Sequence, residues 1–144
     1  MKESTKLLYG DGDTTYRALG EEQGIRQLVD HFYDLMSSDP TYQTIWHWHV
    51  EDRETMRDKL AVFLSGWTGG PRLYKSKYGA IGIPRVHAHL KVGSAERDQW
   101  LQCMRGALVR NEYPAELVEY MIRQLSIPAE RVRQTCEKIH GENS

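Results

Sequence analysis

The segment TMRDKLAVFLSGWTGGP, residues 55–71, decides the fold of this 144-residue chain. Its apolar residues recur at the i, i+4, i+7, i+8 and i+11 spacing of one helical face. They are Met56, Leu60, Phe63, Leu64 and Trp67. The Thr-Gly-Gly-Pro sequence that follows is typical of a helix end. The segment therefore predicts an amphipathic helix with a buried face, followed by a long non-helical link to about Pro84.

Similar apolar stripes on either side of this segment predict two more long helices. The first spans Glu21 to Met36, and the second follows Ser94, whose hydroxyl we expect to cap it. The first stripe consists of Ile25, Leu28, Val29, Phe32, Tyr33 and Met36. The second consists of Trp100, Cys103, Met104, Ala107 and Leu108. Tyr33 and Trp100 are therefore expected to point towards the core.

The end of the chain predicts one helix from near Pro114 and a last short helix that Pro128 opens. The first would bury Leu117, Val118, Met121 and Leu125, and the second would carry Val132 and Cys136. No run alternates with the period of a β-strand, and no repeat is present. We therefore expect one all-α domain over residues 14–140, behind a flexible N-terminal tail of residues 1–13.

The composition excludes several classes of partner. With 19 basic and 20 acidic residues the net charge is −1, and no Lys/Arg stripe appears, which argues against nucleic acid or anionic lipid. No apolar run is long enough to span a membrane, and the N-terminus does not resemble a secretory signal. We expect a cytoplasmic protein with reduced thiols at Cys103 and Cys136 and a small-molecule ligand.

Two His-x-His pairs, His47/His49 and His87/His89, are the unusual feature of the sequence. Lone histidines are commonly structural, on turns or at helix caps. A single ion is chelated by His-x-His most easily on an extended segment, which makes a zinc site from both pairs awkward in an all-α chain. One histidine in an aromatic-lined pocket can instead hold haem iron. Without a CxxCH motif, such a haem would be bound noncovalently.

Several motifs, taken in order, resemble those of the group II truncated haemoglobins. They are TYRALG at residues 15–20, FYDLM at 32–36, FLSGWTGGP at 63–71, and His87 nine residues before the segment ERDQWL at 96–101. The resemblance runs from about Thr14 to Arg133. It implies a truncated globin, a two-over-two helical sandwich around a haem b, in which a loop replaces much of the proximal-side helix. The link from residue 71 to residue 84 fits that loop.

The resemblance implies that His87 is the ligand of the haem iron. His89 falls where the family usually has a proline. The chain departs from the family pattern on both sides of His87, with Val86 in place of an arginine and Leu90 in place of an aromatic residue against the haem. A shift of two residues in the loop would make His89 the ligand, so it stays the alternative.

On the opposite side of the haem, the resemblance places the polar distal residues at Tyr33, His49 and Trp100. His47 is the rival of His49, and a shift of one residue would bring Trp48 inward. Met56 takes the usual distal-histidine position, and it cannot donate a hydrogen bond. The remaining haem contacts implied are the apolar wall of Leu60 and Phe63 and the propionate partners Lys59, Tyr74 and Arg85.

The implied function is binding of O2, and also of NO, CO or sulfide, at a five-coordinate iron. Hydrogen-bond donors around the gas predict slow O2 release, which suits NO dioxygenation or a peroxidase-like reaction better than oxygen transport. Sustained NO dioxygenation would need an external reductase, because the sequence has no flavin or nicotinamide motif. The alternative is a haem-based gas or redox sensor that acts through a partner protein.

Overall fold

The computed structural model of the chain describes residues 9–48, 52–79 and 92–140. These residues form helices joined by turns and contain no strand, which confirms the all-α prediction. The helices are α1 (Thr14–Ala18), α2 (Glu21–Ser38), α3 (Gln43–Trp46), α4 (Arg53–Trp67), α5 (Tyr74–Tyr78), α6 (Ser94–Arg110) and α7 (Ala115–His140), with a 3-10 turn at Pro40–Tyr42. None of these helices is long and apolar enough to cross a membrane.

Helix α2 is central to the fold because it packs against both α4 and α6, and α7 packs on α6. The whole predicted stripe of α2 is buried: Ile25, Leu28, Val29, Phe32, Tyr33 and Met36. The start of α2 requires Gly24, because a Cβ there would lie 2.0 Å from the carbonyl oxygen of Leu19. The Tyr113 hydroxyl donates one hydrogen bond that is shared between the carbonyl oxygens of both residues, and so ties this corner to the start of α7.

Helix α4 ends at the Thr-Gly-Gly-Pro sequence, as predicted, and its start after Asp52 is an addition from the structure. The Asp52 carboxylate accepts the backbone N–H of Thr55 at 2.9 Å and caps the first turn. At the other end, Gly69 has φ of +102°, and a Cβ there would lie 2.1 Å from the carbonyl oxygen of Gly12. The glycine pair after α4 therefore allows the segment before α1 to pack closely against the helix end. Within that segment, the Tyr9 ring lies 5.0 Å from the ring of Tyr120 on α7.

The link after α4 is not entirely non-helical, since it contains the single turn α5. A helix this short is only marginally stable by itself, so contacts of its side chains with the rest of the fold must stabilise it. The Asp58 carboxylate on α4 accepts hydrogen bonds from Lys77 Nζ at 2.7 Å and from the Tyr78 hydroxyl at 2.5 Å. These contacts depend on the tertiary fold, and periodicity could not predict them.

The start of α6 differs from the prediction by one position. The N-cap is Gly93, in an extended conformation, and Ser94 is the first helical residue. The Glu96 carboxylate accepts the Gly93 N–H at 2.8 Å, so a glutamate rather than a serine hydroxyl satisfies this helix end.

The prediction that Pro128 opens a separate helix is wrong. Helix α7 runs through Pro128 without interruption. A proline in a helix removes one backbone hydrogen bond and favours a break. Packing of the second half of α7 offsets that cost, because Val132 and Cys136 continue the buried face of Leu125 at helical spacing.

One glutamate ties α6 to α7 just beyond Pro128. Glu130 accepts hydrogen bonds from Arg133 Nη2 at 2.6 Å and from Arg97 Nη1 at 2.5 Å. The hydrogen bonds from Arg133 and Arg97 lower the pKa of Glu130 from 4.5 to about 2. The folded chain therefore binds this proton more weakly than the unfolded chain does.

Replacement of Glu130 with glutamine should weaken the acid sensitivity of the fold. A depressed carboxyl pKa stabilises the folded state above the unfolded-state pKa, and this contribution is lost as pH falls from about 4.5 to about 2. Thermal unfolding at several pH values in that window measures the slope, which we expect to be shallower in Glu130→Gln. Glu137→Gln removes a more exposed partner of the same Arg133 and is the control. Equal slopes in the wild type and Glu130→Gln would contradict this prediction.

Candidate functional site

The side chains of Tyr33 and Trp100 both contact the ring of Phe32. The Phe32 ring lies 5.0 Å from the Tyr33 ring and 5.3 Å from the Trp100 ring, edge-on to both. Tyr33 is 5% exposed, and Trp100 is half-buried against the same core. Helices α2 and α6 therefore bring the two predicted distal donors into one aromatic cluster.

Helix α4 has a filled side and an incompletely covered side. Ala61 and Leu64 are buried in the core that α4 shares with α2, as is Met56, which is 6% exposed. Leu60 and Phe63 are only half-buried. Among the described residues, α4 packs on α2 and α5 and has no extensive contact with α6 or α7.

Trp67 corrects the predicted face of α4. Its side chain is 36% exposed, where the stripe predicted burial. The ring stacks on Phe63 at 6.2 Å and extends the apolar strip to the end of the helix. A periodic pattern includes this position, but the helix end at Thr68 leaves the indole at the edge of the core.

The corner after α3 turns a tryptophan inward and a histidine outward. Trp48 is half-buried and packs both on the main core and on a smaller cluster of Val92, Val132 and Cys136. His47 is exposed. Trp48, and not His47, therefore lines the interior at the end of this corner.

These residues fit a haem. A flat macrocycle needs apolar surfaces on its faces, and Leu60, Phe63 and Trp100 are large apolar side chains left incompletely covered by their neighbours. Gln99, next to Trp100, also has a buried Oε1 with no hydrogen-bond partner among the described residues. The chain thus offers an apolar strip on α4, and an aromatic cluster on α2 and α6 that includes the two hydrogen-bond donors Tyr33 and Trp100.

The predicted propionate partners Lys59 and Tyr74 share a neighbour. Lys59 Nζ lies 5.4 Å from the centroid of the Tyr78 ring, and the Tyr74 ring lies 5.3 Å from the same ring. The Tyr78 hydroxyl in turn donates to Asp58, whose pKa is lowered by hydrogen bonds from Lys77 and Tyr78. Sequence reasoning missed Tyr78 and Asp58, although Tyr74 and Tyr78 stand one helical turn apart.

Arg57 is a further residue that sequence reasoning missed. Its Nη1 lies 2.8 Å from Asp30 Oδ1 and its Nη2 lies 3.0 Å from Asp34 Oδ1, so it connects α4 to two successive turns of α2. Its guanidinium carbon also lies over the Tyr33 ring, 5.7 Å from the centroid. The sequence feature that could have indicated a basic partner such as Arg57 is the pair of carboxylates Asp30 and Asp34, which stand four residues apart on α2.

The remaining site predictions lie outside the described residues. They concern His49, Arg85, His87, His89 and Leu90. Within the part of the chain that the structure describes, no group of three or more His, Cys, Asp or Glu residues could hold a metal ion. The choice between His87 and His89 therefore stays a prediction.

Comparison with known proteins agrees with this geometry. The chain matches the bacterial-like globin family over residues 14–134. The group 2 truncated haemoglobin YjbI of Bacillus subtilis (strain 168) is 33% identical over 121 residues, which cover 83% of this chain and 89% of that protein. The group II 2-on-2 haemoglobin of Agrobacterium tumefaciens superposes with a TM-score of 0.77 at 29% identity, over 90% of this chain and 97% of that one. A cold-adapted truncated haemoglobin of Pseudoalteromonas haloplanktis TAC125 gives 0.77 at 29% identity, over 82% and 95%.

Proposed function

The chain belongs to the bacterial-like globins as a group II truncated haemoglobin, and from this premise we propose that it binds O2 and releases it slowly. Membership in the family implies a haem and the binding of diatomic gases. It also confirms the two-over-two sandwich as the fold class. The finer proposals concern the ligand, its lifetime and the chemistry that follows.

The convergence of Tyr33 and Trp100 on Phe32 carries this proposal. When bound, haem supplies the iron at which the gas coordinates. Bound O2 gains negative charge, and fixed donors in a site that excludes water stabilise that charge. A phenol hydroxyl and an indole N–H, supplied by two different helices, are such donors. Met56 occupies the usual distal-histidine position without a donor, so hydrogen bonding falls to Tyr33, Trp100 and His49.

We assign the cofactor contacts as follows. His87 ligates the iron and leaves it five-coordinate until a gas binds, and Leu60, Phe63 and Leu90 contact the macrocycle. Lys59, Tyr74 and Arg85 hold the propionates. The cofactor is haem b, bound noncovalently because the sequence lacks a CxxCH motif. The proposed compartment is the cytoplasm.

The chemistry that follows from a long-lived O2 complex is NO dioxygenation. In this reaction NO, O2 and one electron give nitrate, so each turnover consumes one electron from outside the chain. A separate reductase supplies it, because the sequence has no flavin or nicotinamide motif. Fast release would serve oxygen transport, whereas two strong donors favour retention of the gas until NO arrives.

Visible spectroscopy of the hemin-reconstituted chain, together with a nitrate assay, tests the haem, the open coordination site and the NO dioxygenation of this proposal. We expect one strong Soret band at one hemin per chain, a five-coordinate ferrous form, and a six-coordinate form after addition of CO. The oxygenated sample, mixed with NO, should yield nitrate in proportion to haem. A chain that stays colourless after hemin addition would sink the haem assignment. A ferrous form that is six-coordinate before any gas is added would sink the assignment of an open coordination site.

A further inference from the structure

We propose that Arg57 is a positioning residue for Tyr33 and that it sets the strength with which the tyrosine hydroxyl holds the bound gas. The inference rests on the proposed role of Tyr33 as a distal donor. It adds a residue that touches neither the haem nor the ligand. The distinguishing observation is a cation held over the face of the ring that carries the donor.

Two carboxylates on α2 fix the guanidinium in place. Asp30 precedes Tyr33 by three residues and Asp34 follows it directly, and each accepts one nitrogen of Arg57, at 2.8 and 3.0 Å. The Arg57 side chain is only 15% exposed. Its Nε is buried without a hydrogen-bond partner among the described residues. The head group is therefore held by its two terminal nitrogens and cannot move freely away from the ring.

The position of the guanidinium has two effects on Tyr33. At 5.7 Å from the centroid it lies within the range of a cation–π contact, which favours one orientation of the ring and hence one direction of the hydroxyl. The positive charge also draws electron density from the ring, which makes the phenol O–H a stronger donor. The carboxylates of Asp30 and Asp34 oppose this charge, but the guanidinium is the charged group that lies over the ring face, and because its side chain is only 15% exposed, solvent screens it weakly.

The simpler interpretation of Arg57 is that it only joins α4 to α2. The chain contains a matched control for that interpretation, since Arg26 on α2 and Asp58 on α4 form another ion pair between the same helices, at 2.8 Å. Unlike Arg57, Arg26 makes no ring contact with Tyr33 that the structure records. Loss of a helix-joining ion pair can therefore be separated from loss of the cation over the ring.

The test uses the hemin-reconstituted variants Arg57→Met, Arg57→Lys, Arg26→Met and Tyr33→Phe and the double variant Arg57→Met/Tyr33→Phe. Two quantities are measured: the O2 dissociation rate, and the C–O stretching frequency of the CO adduct, which reports the polarity next to the ligand. We expect Arg57→Met to speed O2 release about fivefold, which corresponds to about 1 kcal/mol and lies within the range of a single cation–π contact, and to raise the C–O frequency. Arg57→Lys keeps the charge but not the two-carboxylate geometry. Its O2 dissociation rate and C–O frequency should therefore lie between those of the wild type and those of Arg57→Met.

The variants in combination decide between the interpretations. Arg26→Met should leave both quantities unchanged, and Arg57→Met should have no further effect once Tyr33 is phenylalanine, because the hydroxyl through which it acts is gone. Equal changes in Arg57→Met and Arg26→Met would overturn the proposal, as would an effect of Arg57→Met that persists in Tyr33→Phe. If Arg57→Met does not fold, Arg57→Lys with unchanged rate and frequency overturns it. Failure of Tyr33→Phe itself to change the rate would instead overturn the distal assignment on which the inference depends.

Discussion

Replacement of His87 with glycine is expected to abolish the five-coordinate ferrous spectrum and to weaken haem retention by at least about 100-fold. Changes to groups that merely support a metal ligand already cost 10- to 100-fold in affinity, so loss of the ligand itself should cost more. The proposed haem has no covalent attachment, so the imidazole bond is its strongest single link to the chain. Haem transfer to an excess of an acceptor apoprotein measures the retention.

The matched control for this substitution is His89→Gly, two residues away in the same segment. We expect it to keep the wild-type ferrous spectrum and the wild-type rate of haem loss. Free imidazole added to His87→Gly should restore the five-coordinate spectrum, because it can occupy the space that the side chain vacates. Loss of the spectrum in His89→Gly, with retention in His87→Gly, would assign the iron to His89 and would mean that the loop is shifted by two residues.

The long helices could be predicted from sequence because their burial is periodic. The stripe of α2 from Ile25 to Met36 is buried at every predicted position, since a central helix contacts neighbours along its whole length. Pro128 shows the limit of local rules. The proline favours a break, but the buried stripe that continues to Cys136 outweighs it, and only the packed structure shows which effect is larger.

The site could be predicted only where motif and periodicity act together. Tyr33 and Trp100 each lie on a predicted buried stripe, and the structure adds Phe32 as the residue that joins them. The contacts of Arg57 with Asp30 and Asp34, and of Asp58 with Tyr78, were not foreseen. They depend on how α2, α4 and α5 are oriented relative to one another, and no local pattern encodes that orientation.

Substitution of Tyr33 with phenylalanine is expected to speed O2 release by about 10- to 100-fold. A hydrogen bond to a charged acceptor contributes about 1.5–3 kcal/mol, and its loss appears in the dissociation rate because the donor acts on the bound gas. Tyr42→Phe is the matched control, since Tyr42 is also a buried tyrosine, 4% exposed, and is not assigned to the site. Stopped-flow displacement of O2 by CO measures each rate.

Substitution of Trp100 with phenylalanine should also speed O2 release, and the double variant shows whether the two donors act together. If both donors bind the same gas molecule, loss of one lets the ligand reorient towards the other, so the combined effect should differ from the product of the single effects. The cluster around Phe32 favours this coupling, because the Tyr33 and Trp100 rings both contact the Phe32 ring. Single variants that both release O2 at the wild-type rate would show that neither side chain reaches the ligand. The slow-release proposal, and with it the preference for NO dioxygenation over transport, would then lose its basis.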